Sequence, residues 1–237
     1  MGLFDLFSKK SSSSAVQKLA PKVADKRGMA PDRWEAIQAL TKIDSEEAVD
    51  ALLVRFTFYV DPTITDQEEK DAVCNAIIAK GPVSVAPLQR FIAKAESLSW
   101  PLKMLDRVLS TSDVLAMLLD MLRKMDTEYE RDPQRKLQIL AELETRHGPG
   151  VVEVVTPFLS DVHETARFHA VGAVLAQEDA ETARPALLDV LKREESMRIK
   201  ARILDAFGLR GWSIGDTDVG RLPDAFDLDA QGVPHRR

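Results

Sequence analysis

Six basic residues recur along the chain at a near-constant interval, each just ahead of an apolar helical stripe. They are Arg33, Lys70, Lys103, Lys136, Arg167 and Arg198, separated by 37, 33, 33, 31 and 31 residues. Ala36, Ile37 and Leu40 follow the first, Val73, Ala76 and Ile77 the second, and Ile139, Leu140 and Leu143 the fourth. The third stripe, Leu102, Leu105 and Leu109, is the weakest. Apolar residues three and four apart line one face of a helix. Between the copies lie second apolar segments at 49–59, 83–95, 114–125, 151–159 and 183–191. A period of 30–40 residues marks stacked helical hairpins, because a single hairpin can bury its apolar face only against its neighbours. The expected fold is therefore all-α, an α-α superhelix or solenoid of about six helical hairpins.

Composition and punctuation agree. Aromatic residues make up 6% of the chain, and strands draw on aromatic and β-branched side chains. Pro31, Pro82, Pro101 and Pro133 suit first-turn positions, where a missing amide costs nothing. Gly81, Gly148 and Gly208 fall where helices should stop. Pro87, Pro157 and Pro185 sit inside second segments and should bend or delay those helices. The boundaries expected are an N-terminal arm at 1–14, repeats at 15–210, and a cap and tail at 211–237.

The clearest copies carry a resemblance. Pro157 and Pro185 precede leucines, Asp161 occupies a turn, and Arg167 and Arg198 each have Ala three residues on. Residues 151–211 resemble consecutive HEAT repeats, including the bacterial subgroup of phycobilisome-lyase-like proteins. The likeness extends over 30–210, resting on periodicity alone around 96–110. In that family a turn acid and a helix arginine form a ladder between neighbouring repeats. The resemblance therefore implies a structural ladder of Asp161 with Arg167, and of Glu195 with Arg198. It implies a scaffold and says nothing of chemistry.

Catalytic and metal signatures are sparse. One cysteine, Cys74, sits within an apolar stripe and excludes an intramolecular disulfide. The four histidines form no HExxH pair, and His163 and His169, six apart, do not share a helix face. Asp216/Asp218 and Asp227/Asp229 are fragments of calcium loops without the third ligand or the distant Glu. The second fragment reads better as a turn between extended pieces at 225–228 and 233–235. No catalytic residue, metal or cofactor is expected. HEAT-like DNA glycosylases acting on alkylated bases are the alternative, with Trp100 and Asp106 as their candidates. That alternative needs a basic groove, and the second segments carry acids and bases in equal measure. Net charge is -6, and the residues between the two ends are more acidic still, so nucleic acid is not an expected partner.

The functional expectation is a non-catalytic protein–protein interaction scaffold or adaptor using the concave face of the solenoid. Its exposed binding positions on second helices are expected to be Arg55, Arg90, Arg123 and Arg184. At the N-terminus, Leu3, Phe4, Leu6 and Phe7 are followed by Lys9, Lys10 and a serine run, a docking segment on a flexible linker. It suits a protein groove, or weak membrane-surface contact through residues 1–10. With no secretory signal at Met1–Phe7, the place expected is a bacterial cytoplasm, peripheral to the inner face of the membrane. Trp212 should fold back as a terminal cap.

Overall fold

The computed structural model describes the backbone of residues 3–237 and the side chains from Ser13 onward. The docking residues Leu3, Phe4, Leu6 and Phe7 thus lie outside the described side chains. Twelve α-helices and one short hairpin make up the described chain. They are α1 (Leu3–Ala24), α2 (Ala30–Thr41), α3 (Glu46–Leu53), α4 (Thr63–Ala79), α5 (Val85–Ile92) and α6 (Ser99–Val108). Then follow α7 (Thr111–Arg123), α8 (Gln134–Leu143), α9 (Val151–Val155), α10 (Glu164–Leu175), α11 (Arg184–Arg193) and α12 (Met197–Arg210). The strands β1 (Phe226–Leu228) and β2 (Pro234–Arg236) close the chain. α1 crosses position 14, so the arm and the first repeat are not separated by an element boundary.

Proline dictates the shape of the second helices. α9 gives way to a 3₁₀ segment, Thr156–Ser160, at Pro157. α11 begins only at Arg184, beside Pro185, after a 3₁₀ turn at Ala180–Ala183. α5 follows a 3₁₀ turn, Gly81–Ser84, and carries Pro87 in its first turn. In each case the ring has no amide to donate and forbids the preceding helical register. Ser45 starts α3 by accepting the amide of Ala48 on its hydroxyl at 3.3 Å.

The chain divides into two compact units, residues 1–114 and 115–237, with the division inside α7. In the first, α2, α4 and α6 pack in series, α3 packs on α5, and α1 lies against α2 and α3. Ile37, Leu40, Leu52, Val73, Ile77, Leu88 and Leu105 fill its core. In the second, α8, α10 and α12 pack in series, and the 156–160 segment lies against α10 and α11. Its core holds Ile139, Leu143, Val155, Val171, Leu187, Ile203 and Phe207. Cys74 is buried among the first set, and burial pushes its thiol pKa up.

The C-terminal segment folds as a cap. β1 and β2 pair antiparallel with Asp227 opposite His235, one residue from the strands read in the sequence. Gly232 closes the turn at φ 76°. Trp212 meets Phe207 edge to face, ring centres 5.3 Å apart. A side chain at Gly208 would put its Cβ 2.4 Å from the carbonyl of Pro234, so β2 rests on bare helix backbone.

The repeating bases divide by environment. Arg33, Lys70 and Lys136 are buried, whereas Lys103 and Arg198 are exposed. Lys103, in the weakest copy, has Asp71 at 3.4 Å as its ion-pair partner. The ladder in the second unit is shifted relative to the expectation. Asp161 gives Arg167 its backbone carbonyl at 2.9 Å, not its carboxylate. That carboxylate lies 2.7 Å from Lys136, one copy earlier, and also accepts the amide of His163 at 2.8 Å. Arg167 instead forks onto Glu194 at 2.8 and 3.0 Å, one copy later. Arg198 pairs with Glu164 rather than with Glu195. The cause is local: the amide of His163 turns the Asp161 carboxylate toward α8 as it opens α10.

Candidate functional site

The aromatic residues of the first unit are concentrated where second helices end. Phe56, Phe58 and Tyr59 follow α3, Phe91 lies near the end of α5, and Trp100 opens α6. Phe56, Tyr59, Phe91 and Trp100 line a cavity of about 530 Å³, whereas Phe58 packs on Arg55 outside it. Leu53, Ala95 and Pro101 complete its apolar lining. Phe56 and Trp100 face one another at 5.1 Å between ring centres, 36° from parallel. Such a volume suits a small ligand or one or two large side chains.

Cations hold the aromatic walls from behind. Lys70 lies 3.8 Å from the centre of the Tyr59 ring, and Lys103 lies 4.6 Å from that of Trp100. Each pair supplies about 0.5–2 kcal/mol of cation–π attraction and fixes the ring it touches. Tyr59 is nevertheless 84% exposed, so much of its ring is open to solvent. Polar lining is limited to Asp50, Arg90, Lys94, Glu96, Thr57 and Ser97. Arg90 is spoken for: it donates to Glu46 at 3.0 Å and Asp50 at 2.8 Å, and these bonds raise its pKa, that from Asp50 most.

Beneath Tyr59 lies a buried charge cluster. Glu69 Oε2 accepts Arg33 Nε at 2.7 Å and Arg55 Nε at 2.6 Å. Asp66 takes Arg55 at 2.7 Å on one oxygen and Lys70 at 2.7 Å on the other. Three bases thus share two carboxylates. Burial opposes ionisation of Asp66, but bonds from Lys70, Arg55 and the amide of Val60 outweigh it and hold the carboxyl below its ordinary range. Arg33 also gathers the carbonyls of Asp25 at 3.3 Å and Gly28 at 3.0 Å, tying the turn after α1 to α2.

The four arginines nominated from sequence fare differently. Arg90 is exposed and lines the cavity. Arg55 is a correction: it is fully buried and structural. It lies in the 3₁₀ turn Val54–Thr57, which swings it toward the acids of α4 instead of solvent. In the second unit, Arg123 is exposed on α7. Arg184 is half-buried, donating to the Ser213 carbonyl at 2.8 Å beside Trp212, and so holds the cap. The docking residues of the N-terminus bring no side-chain geometry, and the ladder residues Asp161, Arg167 and Arg198 are occupied as described.

Sequence reasoning passed over Phe56, Tyr59 and Phe91, although five of the chain's aromatic residues fall between 56 and 100. Of the glycosylase pair, Trp100 is in the wall, while Asp106 is not among the lining residues. The lining likewise holds neither Cys74 nor any of the four histidines. No cluster of three or more His, Cys, Asp or Glu among the described residues could hold a metal. Among the described residues no helix is long and apolar enough to cross a membrane. Comparison with protein families, with curated proteins and with solved structures finds no match to this chain.

Proposed function

We propose that this chain is a non-catalytic protein–protein interaction scaffold of HEAT-like repeats, which seats an apolar anchor of its partner in the Phe56–Tyr59–Phe91–Trp100 cavity. The cavity is the observation that carries the reading. Trp, Tyr and Arg dominate interface hot spots, where a concave, water-excluding pocket takes one large side chain and a polar rim surrounds it. Here Tyr59 and Trp100 supply the walls and Arg90 the rim. The regular alternation of first and second helices within each unit supports the repeat reading. A carboxylate already committed to an arginine, as Asp50 is, makes a poor general base.

Thr57 is exposed in the cavity mouth, so Thr57→Arg blocks it without disturbing the core. Tagged wild-type and Thr57→Arg proteins should be compared as baits, with captured chains identified by mass spectrometry. A partner retained by the wild type and lost at least tenfold on Thr57→Arg is the expected result. Identical capture by both baits would remove the cavity from the function.

A further inference from the structure

Resting on the reading of the cavity as a docking site, we propose that its occupant is the segment Leu3–Phe7 of a second copy of this chain. Three observations carry the assignment. The first is matching chemistry: the cavity wall is aliphatic and aromatic, through Leu53, Phe56, Phe91 and Trp100. The segment offers four large apolar residues within five positions, Leu3, Phe4, Leu6 and Phe7.

The second is the order of charge along each partner. Lys9 and Lys10 follow Phe7 within one helical turn. On the receiving side, Asp50 borders the cavity, and Glu46 lies one turn further along α3. These two carboxylates share a single guanidinium, Arg90, and so retain one negative charge between them. A segment with its phenylalanines in the cavity sets its lysines against that surplus charge.

The third decides between the same chain and another. Arg33 binds the carbonyl of Asp25 just after α1, and its partner Glu69 also holds Arg55 beside Phe56. The end of α1 therefore lies at the cavity's end of the unit. Ser13, eleven residues back along that helix, is roughly 16 Å away at 1.5 Å per residue. Leu3–Phe7 precedes Ser13, so within one chain it would have to double back along α1; a second copy meets no such constraint. Each copy then gives one segment and offers one cavity, a contact that closes into a dimer only when the exchange is reciprocal.

The test uses full-length protein. A fluorescein-labelled peptide of residues 1–14 is titrated into Phe4→Asp/Phe7→Asp protein, whose cavity is free of its own kind, with anisotropy as readout. Saturable binding at ~10–100 µM is expected for so short an anchor. It should weaken at least tenfold on Thr57→Arg and several-fold for a Lys9→Glu/Lys10→Glu peptide, the latter effect fading with salt. Sedimentation of wild-type protein should show concentration-dependent association, absent from Phe4→Asp/Phe7→Asp. Equal peptide affinity for Thr57→Arg would overturn the proposal, as would monomeric wild type throughout or a peptide that binds only anionic vesicles. Should Thr57→Arg still lose a captured partner in those cases, the docking cavity stands and only this occupant falls.

Discussion

Both units bury charge beneath the starts of their first helices, yet they wire it differently. In the first unit, Arg33, Arg55, Lys70, Asp66 and Glu69 form one closed cluster in which two carboxylates serve three bases. In the second, the repeating bases keep separate main partners, Lys136 with Asp161, Arg167 with Glu194 and, at the surface, Arg198 with Glu164, while Glu144 takes Arg202 and His169 apart from them. The difference turns on Arg55, a second-helix residue that enters the first unit's polar layer and joins what would otherwise be two pairs. A cluster makes its members depend on one another; a ladder lets each rung fail alone.

The largest expected effect follows from Glu69, whose Oε2 takes two arginines. Glu69→Ala leaves both without that carboxylate in the interior and should cost about 3–5 kcal/mol. Urea unfolding followed through the tryptophans reads it: Trp34 and Trp100 report on the first unit and Trp212 on the second. A loss below about 1 kcal/mol would mean that the cluster holds nothing together. Next comes the coupling itself. Arg33→Met with Arg55→Met, which share Glu69, should depart from additivity by about 0.5–3 kcal/mol. Lys136→Met with Arg198→Met, which share no partner, should add within roughly 0.5 kcal/mol. Equal coupling in both pairs would erase the distinction between cluster and ladder.

The contrast should also be visible in acid. Asp66 and Glu164 both have folded pKa values below their ordinary ones, Glu164 at about 2 because Arg198 hydrogen-bonds it. A lowered carboxyl contributes stability that is present above its unfolded pKa and lost as pH falls toward the folded one. Stability should thus decline from about pH 5 toward pH 2, and Asp66→Asn should flatten the decline reported by Trp34 and Trp100 while leaving that of Trp212. The smallest effect is expected at Arg198→Ala: its pair with Glu164 is open to solvent, so the unfolding free energy should fall by no more than about 0.5–1 kcal/mol.

How much of this was legible beforehand depends on how far apart the interacting residues are. Apolar stripes such as Ile139, Leu140 and Leu143 are set within a single helix, so the alternation of helices could be read directly. Pro157 and Pro185 act on their own backbone: a 3₁₀ segment contains Pro157, and another ends two residues before Pro185, where α11 starts. The C-terminal turn likewise follows from Asp229 and Gly232, neighbours in sequence. The partners of Arg33, Arg55 and Arg167 were not legible in this way. Arg55 looked like an exposed second-helix residue because periodicity cannot announce that the helix tightens at Val54. The cavity was hidden for the same reason: Phe56 and Trp100 stand 44 positions apart, and only the packing of α3, α5 and α6 brings them together.

The bare patch at Gly208 has a consequence for the working life of the protein. Because Pro234 sits directly on the α12 backbone, the hairpin is keyed to the one position of α12 without a side chain. Gly208→Ala would prise β2 away while leaving every helix intact, uncovering Phe226 and the ring of Phe207. An open strand edge and fresh apolar surface are what quality-control proteases and aggregating chains recognise. Gly208→Ala should therefore shorten the time that a folded copy survives in a cell.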